Sequence, residues 1–272
     1  MRTPSHTRAL RGSRLAATVM VAGLIAATLS TAIAVGSGTY EARWDMRTSW
    51  LDATGQGHDA RLDPLMPGVS IRSGSWTDFN DHGRLLVSPS ADLSPGTGDI
   101  VLGMRLATTD EHANLLQAGT SGPGKHVVKL ELANNPARTV QGVPRCQFSG
   151  SLKTQHLAAA TPITDGRWHW LECAKVGTRL EVRVDGCVVV SKRSAVGEIN
   201  VADKTWTIGA KPTSGAASTG DSLLGKVTDA FVSRAALPPA QTCLSPRGRP
   251  VKPCLLYTSP SPRDRTRSRM PS

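Results

Sequence analysis

Residues 165–186 read DGRWHWLECAKVGTRLEVRVDG. In Leu180-Glu181-Val182-Arg183-Val184 the apolar residues fall at every second position. A strand turns successive side chains to opposite faces, so Leu180 and the valines belong to a core while Glu181 and Arg183 face solvent. Asp185-Gly186 then predicts a hairpin into Cys187–Val190, because a type I′ turn needs positive φ at both central residues. Working outward, TWTIGA (205–210) and LLGKVTDAFVSRAAL (223–237) read as further strands. Upstream, Ile100–Leu106 and Val128–Leu132 alternate in the same way. Long helical periodicity and fixed-period repeats are absent, and Gly and Pro punctuate the strands throughout. The pattern predicts an all-β chain folded as an antiparallel β-sandwich.

The two ends read differently from the body. Arg2, Arg8, Arg11 and Arg14 precede an apolar stretch from Leu15 to Leu29, and Ala32-Ile33-Ala34 fits a small-residue cleavage site. Residues 1–34 are therefore expected to be a signal peptide, with a secreted product and no membrane segment after cleavage. An uncleaved anchor is the alternative, weakened by Thr18, Thr28, Ser30 and Thr31. At the other end, Cys254–Asp264 (CLLYTSPSPRD) back-translates into the end of a sequencing-library adapter. Ser268–Ser272 (SRMPS) continues it in the same frame. Residues 254–272 are read as that artefact rather than as a natural basic tail, which leaves the extent of the tail 244–253 open.

Charge then loses its apparent message. The whole chain carries 32 Lys+Arg and 21 Asp+Glu, a net of +11. Residues 35–243 hold 21 basic and 20 acidic side chains, a net of +1. A nucleic-acid-binding domain is expected to carry its basic charge on the folded part, so nucleic acid is excluded as a partner. Residues 35–243 are long enough for a single β domain with a sizeable core.

Four cysteines remain in the trimmed chain: Cys146, Cys173, Cys187 and Cys243. An even count in an exported chain favours disulfides. Strand parity places Cys146 with Phe148 and Cys173 with Leu171, both pointing inward. No Cys-x-x-Cys or paired-histidine spacing supports the rival zinc site.

The stretch from Asp165 to Leu237 resembles the laminin-G-like, concanavalin A-like jelly-roll domains of secreted bacterial proteins. DATGQGHDA (52–60), DLSPG (92–96) and LLQAG (115–119) extend the resemblance in order, over residues 40–237. It departs at Thr228-Asp229-Ala230, where the family more often has paired aspartates. The resemblance implies a Cys146–Cys173 disulfide, leaving Cys187 and Cys243 as the remaining pair. It also implies a core place for Trp168 and Trp206, and a structural calcium held by Asp52, loop carbonyls and Asp229. Turn formation alone also accounts for Asp52.

Such domains hold ligands or partners on a sandwich, often without catalysis. The expected role is a non-catalytic binding module for extracellular glycan or a protein. A structural or adhesion module of a larger secreted protein is the second reading, and a glycan hydrolase the third. A glycosidase needs two carboxyls about 5–9.5 Å apart. No ExDxE or ExDxxE string occurs, and Asp78 and Asp81 read as a loop. There is no G-x-S-x-G elbow, and His169 reads as a hydrogen-bonded sheet histidine. No catalytic residue is assigned. Carbohydrate binding would fall to exposed tryptophans, and Trp50 and Trp76, flanked by polar residues, are the candidates.

Overall fold

The computed structural model describes residues 40–213 and 221–234. The segments 1–34, 244–253 and 254–272, and Cys243, lie outside the described residues. Thirteen strands follow in chain order: β1 (Tyr40–Trp44), β2 (Ala60–Arg72), β3 (Trp76–Val87), β4 (Ile100–Thr108), β5 (Ala113–Gly119), β6 (Val127–Asn135), β7 (Val140–Ser149), β8 (Thr154–Ala158), β9 (Trp168–Val176), β10 (Arg179–Val184), β11 (Cys187–Arg193), β12 (Trp206–Ile208) and β13 (Gly225–Ser233). Among the described residues no helix is long and apolar enough to cross a membrane.

The strands form one hydrogen-bonded path, β11-β10-β9-β4-β13-β3-β12-β5-β6-β7-β8, with β1 added to β13 and β2 to β3. β3 makes the turn between layers. Its residues Thr77–Phe79 pair with β13, and Leu85–Val87 pair with β12. Everything after β3 on the path thus folds back over everything before it. β4 packs against β5 and β6, and β10 against β7 and β8. The result is the antiparallel sandwich read from the sequence.

Between the layers lies a continuous core whose largest fully buried side chains include Trp44, Trp206, Phe79 and Phe148. Burying an apolar side chain of this kind contributes roughly 1.5–3 kcal/mol. A disulfide joins Cys146 on β7 to Cys173 on β9, with Cα atoms 5.5 Å apart, across this core. Cys187 is also disulfide-bonded. The β10–β11 turn follows the expected chemistry, with φ of 51° at Asp185 and 77° at Gly186.

Three local readings need correction. Glu181 and Arg183 do face away from the core, yet both are buried. The Arg183 Nε donates to Glu181 at 2.8 Å and Nη1 to Glu172 at 3.5 Å, so the charges compensate one another instead of meeting water. Trp206 is core, but Trp168 is only half-buried, with the Arg105 guanidinium 5.3 Å from its ring centroid. Asp78 and Asp81 lie within β3 rather than in a loop.

Candidate functional site

The side chains of β5–β8 that do not enter the core face outward together. Cross-strand register sets Thr207, Gln117, Lys129, Gln147 and His156 side by side in one row. A second row holds Asn114, Glu131 and Arg145. Above these rows is a hollow of about 970 Å³, lined by Gln117, Lys129, Arg145, Gln147 and His156 and walled by the 120–126 and 150–154 loops. Its volume lies at the upper end of the usual range for ligand sites.

The floor of this groove is built rather than incidental. Glu131, itself buried, binds Lys129 and also accepts from Arg145 Nε at 2.6 Å. One carboxylate thus fixes two cations. Burial lowers the Lys129 pKa, and Glu131 opposes that shift. Burial and the nearby Arg145 both lower the His156 pKa. Gln147 and Ser121 hydrogen-bond at 2.8 Å, tying the floor to the wall. Gln117 donates to the Gly119 carbonyl at 2.7 Å, while its buried carboxamide oxygen has no partner. No Trp, Tyr or Phe side chain lines the groove among the described residues.

The tryptophans singled out from the sequence are elsewhere. Trp50 packs on the core and donates to Thr77 Oγ1 at 3.1 Å. Trp76 donates to Asp78 at 2.7 Å, and the Lys226 ammonium covers its ring at 4.7 Å from the centroid. Both are half-buried, and neither lines the groove.

The aspartates are also committed. Asp52 Oδ1 accepts the Arg43 and Thr54 backbone N–H groups at 3.1 and 3.0 Å, and Oδ2 accepts that of His58 at 3.2 Å. Burial raises its pKa, but these hydrogen bonds outweigh burial and bring it below the ordinary value. Asp229 binds the Arg43 guanidinium through both oxygens, at 3.2 and 2.7 Å. The positive charge expected there from calcium is supplied by Arg43. Among the described residues no group of three or more His, Cys, Asp or Glu is placed to hold a metal. Asp52 and Asp229 thus have their oxygens engaged by donors of this chain.

His169 bridges two carboxylates, Asp185 at 2.9 Å and Asp165 at 3.1 Å. That is a hydrogen-bonded role at the end of β9, with no nucleophile among these partners.

No family model and no curated protein matches the sequence. Solved structures do resemble the fold. Domain 4 of an extracellular GH43 arabinanase from Geobacillus stearothermophilus, in complex with arabinotriose, has a TM-score of 0.56 at 12% identity. That match covers 74% of this chain and 95% of that one. The ligand-binding domain of botulinum neurotoxin serotype D, in complex with N-acetylneuraminic acid, has a TM-score of 0.52 at 12% identity. It covers 73% of this chain and 48% of that one. The mouse laminin α1 chain domains LG4-5 have a TM-score of 0.45 at 13% identity, covering 56% and 39%. This chain thus spans about half the neurotoxin domain and less of the laminin fragment. It has the concanavalin A-like jelly-roll fold.

Proposed function

We propose that this protein is an exported module that binds an extracellular saccharide in the groove over β5–β8 without cleaving it. The observation that carries this reading is the groove floor: Gln117, Lys129, Gln147 and His156 stand in cross-strand register beneath a hollow that they line. Two similar folds support it, since their structures hold arabinotriose and N-acetylneuraminic acid. A binding rather than hydrolytic role is supported by Glu131, whose carboxylate is committed to Lys129 and Arg145. Hydrolysis needs a second carboxyl across the scissile bond, and no Asp or Glu lines the hollow among the described residues. Export is supported by the core disulfide, a bond kept in oxidising compartments.

The test is retention of the full chain on immobilised polysaccharides, compared with Gln147→Ala/His156→Ala and with Trp76→Ala. The groove variant is expected to lose retention with its melting temperature unchanged, and Trp76→Ala to keep it. Loss in Trp76→Ala alone would move the site to the tryptophans and end the groove reading.

A further inference from the structure

The hollow over β5–β8 does not end at its own walls. It shares Lys125 and His126 with a second hollow of about 700 Å³ that reaches the Asn200–Lys204 loop. It shares Arg145 and His156 with a third, of about 510 Å³, that reaches the turn at Asn135–Ala137. The three make a trough that runs from the β5–β6 loop to the β6–β7 turn, along β6. The row from Gln117 to His156 alone spans three inter-strand spacings, about 14 Å. A trough of this kind accommodates several linked rings.

The charge of the main hollow is one-sided, while Asp203 and Lys204 of the second hollow pair with each other. Lys125, Lys129, Arg145, Lys153 and Lys211 line the main hollow, and among the described residues no Asp or Glu does. Glu131 compensates Lys129 and Arg145 together, and Asp221 compensates Lys211. Two carboxylates against five cations leave a surplus of three positive charges in a domain whose net charge over residues 35–243 is only +1. The surplus is therefore local, concentrated on one face. Lys129 is held nearly dry beneath this face. An anion reaching it forms a charge-assisted hydrogen bond, stronger than one from a neutral hydroxyl.

Resting on the saccharide reading above, the geometry points to an acidic polysaccharide, with carboxylate or sulfate groups on its rings, as the ligand of the trough. Rings lie across the strand row, hydroxyls meet Gln117 and Gln147, and the anionic groups meet Lys129, Arg145 and the loop lysines.

Affinity electrophoresis of the full chain tests this, through gels containing polygalacturonate, dextran sulfate, neutral arabinan or double-stranded DNA. The variants are Lys125→Glu/Lys153→Glu, both exposed on the trough walls, and the control Lys192→Glu/Arg193→Glu on β11. The chain is expected to be retarded by polygalacturonate, which reads carboxylate, or by dextran sulfate, which reads sulfate, and not by arabinan. The trough variant weakens that retardation about tenfold, the control leaves it unchanged, and added salt diminishes it. Equal retardation by arabinan overturns the acidic class while leaving the groove reading intact. Absence of retardation by every polysaccharide defeats the groove reading itself. DNA retardation as strong as that by the acidic polymers, lost in the same variant, shows an unspecific polyanion surface and overturns the assignment.

Discussion

At Gly103 on β4, an added Cβ would fall inside the ring of Phe231, which lies across it from β13. Phe231 in turn stacks on Trp170, with centroids 5.7 Å apart, and meets Tyr40 edge-on at 5.1 Å. Gly103→Ala is expected to destabilise the domain by about 1–3 kcal/mol, the usual cost of overpacking, read by urea denaturation. An unchanged midpoint would show that the ring can move aside. His169 makes a pH-dependent contribution. Burial disfavours its charged form, but the hydrogen bonds that the imidazolium donates to Asp185 and Asp165 outweigh burial and raise its pKa above 6.5. A raised folded-state pKa gives stabilisation that is complete below the unfolded value and lost as pH rises through the folded one. The stability difference between the native chain and His169→Asn should therefore be complete below about pH 6.5 and shrink as pH rises above it. A difference independent of pH would remove the bridge from the account. Residue-level reading of the sequence was good for direction and poor for burial. Period-two alternation placed Glu181 and Arg183 on the outer face, yet no local pattern shows that Glu172 arrives beside them from β9.

At the scale of elements, the clearest consequence is the tie between β7 and β9. The disulfide closes a separation of 27 residues. Chain-entropy bookkeeping for a loop of that length gives about 3.5 kcal/mol. Cys146→Ser/Cys173→Ser should lower unfolding free energy by roughly that amount, measured by guanidinium titration under non-reducing conditions. A loss below about 1 kcal/mol would mean the packing of β7 on β9 is self-sufficient. Both cysteines were legible because each alternates with a large apolar neighbour, Phe148 or Leu171. The strands around the groove were less so. β6 showed Lys129 and Glu131 opposite its apolar face, but β7 contains Gly142 and Pro144, which read as punctuation. β8, TQHLA, is too short and polar to register as a strand.

Across the whole molecule, the site depends on long-range order that no window of sequence contains. Gln117, Lys129, Gln147 and His156 lie on four strands and meet only through the antiparallel register of β5, β6, β7 and β8. Attention to tryptophan as the sugar-binding residue led to Trp50 and Trp76, whose indoles are occupied with Thr77 and Asp78. Net charge is likewise silent on distribution: a nearly neutral domain sets five cations around one hollow. The most direct measurement is an amide chemical-shift titration of the ¹⁵N-labelled full chain with a short oligogalacturonate. Saturable shifts are expected at Gln117, Lys129, Arg145, Gln147 and His156, with none at Trp50 or Trp76. Shifts confined to the Trp50–Trp76 region would contradict a saccharide site over β5–β8.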